Sequence, residues 1–483
     1  MEFTHMDLLR HQPGGLTDRA FQKDPSISLR ERNWFRVRWN LGAIRFKHRF
    51  SSRSKLESRF FGLMGSRDAI GILTRIDRAD HGGERLLLKD EYRNFGNETR
   101  YLQRYELGGK NSVFLLGGRY YQGHTLRQQG KGSDGKGPDF KFRSKSRYRS
   151  IFRFPSRNLA LFAENVFRVG DRWTLTPGLR FEGIRTASKG RYHQVNRDLA
   201  GNIIHEETIH EERANQRSFL LYGMGVGFSL SPDNELYANY STNYRGIGFN
   251  DMRIINPNFK VDPNLQDESG YSADLGFRGK LFGLLRTDIS LFTLYYADRI
   301  GSVLQVDSSN FQTFRLRTNV ADSRTYGVES YVELEVGKLF QKEASWTLRP
   351  FLNLTWQQAS YIDSKEPAFE GNRVEMAPEW SLISGVKGSY KRWEWRYQFQ
   401  YISHQYADAT NARYLPSAEL GLIPAYSVSD LSMGYGTDAV EVQVGVHNLL
   451  DRDYFTHRAK GYSGPGIVPA PPRNYYITLS FYI

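Results

Sequence analysis

Val440-Glu-Val-Gln-Val-Gly-Val-His447 and Asn474-Tyr-Tyr-Ile-Thr-Leu-Ser-Phe-Tyr-Ile483 decide the fold. In the first stretch Val440, Val442, Val444 and Val446 share one face, and Glu441, Gln443, Gly445 and His447 the other. That period of two belongs to a strand with one apolar and one polar side. In the second, Tyr475, Ile477, Leu479, Phe481 and Ile483 alternate with Asn474, Tyr476, Thr478, Ser480 and Tyr482. A polar, Gly/Pro-rich loop, Asp451 to Pro472, separates them. A soluble sheet rarely leaves so apolar a strand on an open edge, whereas a strand of a closed barrel has no edge to protect.

The same alternation recurs along the chain. Gly42 to Phe50 reads as the first strand, with Ile44, Phe46 and His48 set against Arg45, Lys47 and Arg49. Strands follow near 56–64, 87–107, 112–121, 159–169 and 173–184, then a long loop, Arg185 to Gln216. Further strands read at 219–230, 235–244, 271–281, 285–297, 326–336, 346–356, 376–390, 393–401 and 426–435. Trp393, Trp395, Tyr397, Phe399 and Tyr401 alternate with Glu394, Arg396, Gln398 and Gln400, which predicts lipid on the first set and a wet lumen on the second. About 17 strands result, with short connectors on one side and connectors of up to about 35 residues on the other. Strands this long exceed the five or six residues usual in soluble sheets, and no propeller-like repeat appears. The predicted class is all-β, an antiparallel transmembrane barrel, over one domain spanning residues 1–483.

Composition agrees. The chain has 66 Lys+Arg against 52 Asp+Glu, net +14, with 29 Tyr, 31 Phe and 8 Trp. No run approaches the roughly 18 apolar residues of a membrane helix. There are no cysteines, which excludes disulfides and thiolate metal sites. Met1 to Arg10 lacks a basic region followed by an apolar core, so no signal peptide is expected there.

Three motifs dissolve on inspection. Gly130-Lys-Gly-Ser-Asp-Gly135 matches a phosphate-loop pattern but has no helix after it and reads as a flexible loop. His205 to Arg213 holds two histidines, His205 and His210, five apart where a zinc helix needs four, and reads as a solvated loop. Lys141, Arg143, Lys145, Arg147 and Arg149 form a basic rail at every second position. A lumen wall or a contact with anionic lipid headgroups explains that rail better than nucleic acid does.

Leu159-Ala-Leu-Phe-Ala-Glu-Asn165 with Trp173-Thr-Leu-Thr-Pro-Gly-Leu-Arg-Phe-Glu182, then Tyr326-Gly-Val-Glu329, then Val446 to Tyr454 through Pro472-Arg473, resemble in order the hallmarks of TonB-dependent outer-membrane receptors. Gln12-Pro-Gly-Gly-Leu-Thr-Asp18 and Asn33-Trp34 are most similar to the ferric-citrate type of Bacteroidetes-like bacteria. The resemblance implies a barrel of about 22 strands with an N-terminal plug and a TonB-binding segment. This chain reads as the C-terminal barrel portion, without plug and without the first strands. It also implies a monomer in the cell outer membrane, contacts with outer-membrane lipid and TonB, a ferric chelate such as ferric citrate or a siderophore as ligand, no cofactor and no catalysis.

The rival readings are a passive pore-forming or adhesive barrel and a receptor of the same family for another ligand such as an oligosaccharide. A positive vestibule favours an anionic ligand. Arg119, Tyr120 and Tyr121, read as the point where a strand enters an outer loop, and Tyr244 and Arg245, before the 246–267 loop, are the candidate ligand-binding residues. Arginine offers a planar fork for carboxylates and tyrosine a rigid amphipathic wall.

Overall fold

The computed structural model describes residues 1–12, 14–72, 76, 79–80, 82–143, 149–197, 202–248, 251, 259–306, 313–340, 346–416, 418–459 and 465–482. In chain order the strands are β1 (Glu2–His11), β2 (Trp34–Arg49), β3 (Ser54–Gly71), β4 (Leu86–Leu107), β5 (Lys110–Lys131), β6 (Ser150–Val169), β7 (Trp173–Arg197) and β8 (Ile203–Ser231). Next come β9 (Asn234–Arg245), β10 (Phe259–Val261), β11 (Glu268–Leu281), β12 (Leu285–Val306), β13 (Thr313–Leu334), β14 (Trp346–Ser364), β15 (Trp380–Tyr390) and β16 (Trp393–Ile402). The chain ends with β17 (Gln405–Tyr406), β18 (Leu422–Ile423), β19 (Tyr426–Gly436), β20 (Val440–His447), β21 (Phe455–Ala459), β22 (Gly466–Pro469) and β23 (Asn474–Phe481). The helices include α1 (Asp18–Lys23) and the single turn Gly337–Phe340, and among the described residues no helix is long and apolar enough to cross a membrane.

Each long strand pairs antiparallel with the next, from β1–β2 through β20–β23, in a 19-stranded sheet whose one parallel member, β10, pairs with β13 at the loop end. The remaining 18 strands make the wall, close to the number the alternation predicts. No described strand pairs with the free edges of β1 and β23. Turns at one end are tight. Between β4 and β5 Gly108 and Gly109 both have positive φ, 56° and 73°, a conformation that suits a two-residue hairpin and that a side chain resists. At the other end the connectors are long, the asymmetry of an outer-membrane barrel with short periplasmic turns and extracellular loops.

Register fixes the two faces. Tyr475, Ile477 and Leu479 of β23 stand opposite Val446, Val444 and Val442 of β20, and Val446 and Val444 stand opposite Leu431 and Met433 of β19. Leu431 and Met433 in turn face Tyr397 and Trp395 of β16. This continuous apolar face is exposed, Ile477 at 73%. Exposure of that size on a wall is what a hydrocarbon solvent tolerates and water does not. Trp395 and Phe399 lie on it and Arg396 and Gln398 on the lumen side, as the alternation predicts.

Aromatic rings mark the rims of the apolar band. Near the loop end Tyr222, Tyr240, Tyr271 and Tyr295 contact in succession at 6.1, 5.7 and 5.5 Å, and Tyr326, Trp356 and Trp380 at 6.2 and 6.3 Å. Near the turns Trp173 meets Phe228 at 4.6 Å and Trp393 meets Tyr435 at 4.8 Å. The 11-residue β15 carries Trp380 at one end and Tyr390 at the other. At about 3.4 Å per residue and a tilt of about 40°, they stand roughly 25 Å apart along the axis, the height of the apolar band.

Four sequence expectations need correction. Glu2–His11 is a full partner of β2, so the first edge strand is β1 and not Gly42–Phe50. Its apolar residues are too few for the alternation to show. Residues 185–197 and 203–216 are not loop: they extend β7 and β8 into one long paired hairpin, which takes His205 to Arg213 into β8. Polar on both faces, this ribbon rises above the apolar band, where period-two hydrophobicity carries no signal. Strand β5 runs on to Lys131, so Arg119, Tyr120 and Tyr121 sit midway along it and not at a loop entrance. The basic rail is not a strand at Lys141 and Arg143, and 144–148 lie outside the described residues.

Candidate ligand vestibule

The long loops are gathered by arginines. Arg32 grips Asp80 with Nε at 2.7 Å and Nη2 at 2.6 Å and donates to the carbonyls of Gly83 and Asp134. Arg85, fully buried, donates to the carbonyls of Arg32, Ser133 and Gly137 and to Ser133 Oγ. These two side chains fasten the connectors 12–33, 72–85 and 132–149 to one another. The Arg32 pair holds the Asp80 carboxyl below its ordinary range.

A second node joins the first loop to the last. Arg458, its side chain 2% exposed, donates to Asp18 at 3.0 and 2.7 Å and to the carbonyls of Leu422 and Ala418. Leu16 and Ile467 exchange both backbone hydrogen bonds, at 2.8 and 2.9 Å, within an apolar cluster of Leu16, Ala407, Ile423, Phe455 and Ile467. Thr17 caps α1 by accepting from the Ala20 amide, and Phe21 meets Phe455 edge-on at 5.1 Å. The loops therefore meet above the unpaired edges of β1 and β23.

The third node holds two predicted residues. Arg245 pairs with Glu268 at 2.5 Å and with Asp251 at 3.3 Å, and Arg317 holds the other oxygen of Asp251 at 2.7 Å. Both carboxylates are buried, whereas the Arg245 side chain is 43% exposed, so one face of its guanidinium is open. Tyr244 stacks on Phe219 at 3.8 Å, accepts from Arg217 Nε at 2.7 Å and donates to Asp267 at 3.2 Å.

Arg119 and Tyr121 face the lumen, and Tyr120 faces out. Arg119 stands 5.7 Å over the Phe61 ring and 3.8 Å from Glu98. With Tyr121 it lines two adjoining concavities of the lumen wall, one continued by Asn158, Arg180 and Glu182, the other by Arg59, Phe61, Asn94 and Glu98. Tyr120 packs at 6.2 Å from Phe95 on the lipid side and donates to Gln122. The structure thus brings together Arg119 and Tyr121, and separately Tyr244 and Arg245, four strands away along the wall and therefore roughly 19 Å. Sequence reading missed Arg32, Arg85 and Arg458. Their partners are carbonyls and carboxylates far along the chain, and only apolar residues inside polar loops, Leu16, Phe455 and Ile467, hint at a packed cap.

Among the described residues no group of three or more His, Asp or Glu could hold a metal ion, and the vestibule walls are concave and mixed in charge. Residues 7–449 match the model of the TonB dependent receptor-like beta-barrel family. The vitamin B12 transporter BtuB of Vibrio cholerae is 25% identical over 329 residues, which is 66% of this chain and 48% of that protein, so the chain spans about half the length of the curated relatives it matches. The unliganded ferric citrate transporter FecA superposes with a TM-score of 0.77 at 21% identity, covering 99% of this chain and 66% of that one. The siderophore receptor PiuA from Acinetobacter baumannii gives 0.70 at 15% identity, covering 99% and 71%. Likeness at that identity bears on the fold. The named relatives are transporters and receptors. It belongs to the TonB-dependent receptor-like β-barrel family of the outer membrane.

Proposed function

We propose that this barrel serves the energy-coupled import of a ferric chelate, citrate or a siderophore. The observation that carries the reading is the lumen concavity around Arg119 and Tyr121, where the guanidinium groups of Arg59, Arg119 and Arg180, each beside a carboxylate (Glu2, Glu98 and Glu182), stand by an aromatic wall. Ferric citrate and many siderophores present carboxylates or other oxyanions, which a guanidinium fork binds bidentately. The net charge of +14 raises the local concentration of such anions. FecA, which shares the fold, is a ferric citrate transporter. Tyr244 and Arg245 act in this proposal from the rim, Arg245 through its open face.

Two further points belong to it. The free edges of β1 and β23 would be closed by additional strands between them, making residues 1–483 the larger, C-terminal part of the wall. Coupling to TonB would run through a segment other than the wall, and the receptor would work as a monomer. In binding titrations of the intact receptor, ferric citrate and a carboxylate siderophore should bind more weakly as salt rises. Arg119→Ala should weaken them by roughly 10- to 100-fold, the value of a charge-assisted hydrogen bond. Affinity indifferent to both salt and Arg119→Ala, or selective binding of a neutral oligosaccharide or of cobalamin, would defeat the ferric-chelate reading.

A further inference from the structure

On the outer face of β4 to β7, directly above the apolar band, arginines face one another. Arg157 of β6 stands opposite Arg185 of β7, and four residues nearer the loops Arg153 stands opposite Lys189. Arg93 of β4 lies on the same face beside His124 of β5. Alternation places all of them outside, because Leu159 and Leu161, on the same side of β6 as Arg157, are exposed on the lipid face. All five cations are exposed.

Like charges directly opposite each other on a sheet destabilise it. Elsewhere in this wall such pairs are neutralised: Arg45 faces Arg59, but Glu57 pairs with the first and Glu2 with the second. Lys189 likewise has Glu212 at 2.8 Å. Among the described residues Arg93, Arg153, Arg157 and Arg185 form no ion pair, although Glu91 lies two residues beyond Arg93 on the same face. The row immediately below them holds Tyr120 and Leu159, which face each other on the lipid side, and Tyr120 donates upward to Gln122, itself opposite Arg157. The basic patch therefore begins where the hydrocarbon ends, at the loop end of the wall. The two opposed pairs are about 13 Å apart along the strands.

We propose that this patch binds the phosphate groups of an outer-leaflet lipid headgroup, with the acyl chains lying on Leu159, Leu161, Leu179 and Phe181 below. An anion between two opposed guanidinium groups turns their repulsion into charge-assisted hydrogen bonds, and the apolar wall beneath selects an anion that carries hydrocarbon. The proposal rests on the outward face of the wall and is independent of the imported ligand.

The test uses the intact receptor refolded in nonionic detergent, with folding checked by circular dichroism, and counts bound lipid by native mass spectrometry. The probes are diphosphoryl lipid A, the same glycolipid without its phosphates, and inorganic phosphate as competitor. The chain should prefer the diphosphoryl form by roughly tenfold or more, the double variant Arg157→Gln/Arg185→Gln should lose that preference, and inorganic phosphate should compete poorly. Equal binding of both glycolipids, an unchanged preference in the variant, or full displacement by inorganic phosphate would each overturn the proposal. Thermal stability gives a second reading. Without lipid the double variant should melt higher than the parent, because a repulsion is gone, and with diphosphoryl lipid A it should melt lower. A variant that is less stable in both conditions would show that these arginines serve the fold alone.

Discussion

Along β16 and β19 the task of a side chain is set by parity: Trp395 and Met433 meet lipid while Arg396 and Ser432 between them meet the lumen. At the loop end parity decides nothing. There Arg32, Arg85 and Arg458 reach across 36 to 440 residues of chain to carboxylates and carbonyls that no local pattern announces. The wall spreads its stability over many backbone hydrogen bonds and modest apolar contacts, whereas the loop cap concentrates its own in a few buried ionic nodes. One substitution should therefore be felt locally and severely in the cap, and weakly in the wall unless it places charge in lipid.

The largest effect is expected at Arg458. Its loss leaves Asp18 and the carbonyls of Leu422 and Ala418 without their donor, and breaking such a buried pair costs about 3–5 kcal/mol. Hydrogen exchange should speed up in the 12–33 and 448–473 loops after Arg458→Ala while the wall strands keep their protection. If β20 and β23 lost protection equally, cap and wall would be one cooperative unit and the contrast would fail.

Next comes the wall. Leu431→Arg puts a charge in the middle of the lipid face and should cost about 2–4 kcal/mol, while Gln443→Arg, on the lumen side of β20, should stay within about 0.5 kcal/mol. Urea titrations of the barrel folded into lipid vesicles measure both. A sharper check of register uses a labelled cysteine at Phe399 or at Gln398. Lipid-borne quenchers should reach the first and not the second, and the reverse would mean that the assigned faces are exchanged.

These contrasts also explain what the sequence made legible. Alternation at Val440–Val446 and Tyr475–Phe481 identified β20 and β23 because lipid on one side and water on the other impose opposite chemistry on successive residues. Where both sides are wet the signal vanishes, as in the upper halves of β7 and β8, or where apolar residues are few, as in β1. Candidate residues fared likewise. Parity sends Arg119 and Tyr121 inward and Tyr120 outward, which three consecutive positions on one strand could have announced. That Arg245 would be shared between Glu268 and Asp251 depended on a fold of the 246–267 loop that no periodicity encodes.

The smallest effect should come from acid, and it separates the cap from the wall most cleanly. Asp80 is held below its ordinary pKa of 3.8 by the hydrogen-bonded Arg32 guanidinium, with help from the Gly82 amide. A carboxyl depressed in the folded state contributes stability that is complete above its unfolded pKa and is lost as pH falls through the folded value. Docking of the 72–85 loop on the 12–33 loop should thus be flat from neutrality to about pH 4 and weaken below it. The lipid-facing surface has no carboxylate to titrate around Val444, Ile477 and Leu479, so the wall near β20 and β23 should not follow. Limited proteolysis across pH with an acid-stable protease reads the loop directly. Asp80→Asn should cleave readily at every pH and show no step, because the charge that anchors Arg32 is absent throughout. A step that survives in Asp80→Asn would assign the acid response to another carboxylate, and the Arg32 node would then be held by its carbonyl partners, Gly83 and Asp134, more than by its ion pair.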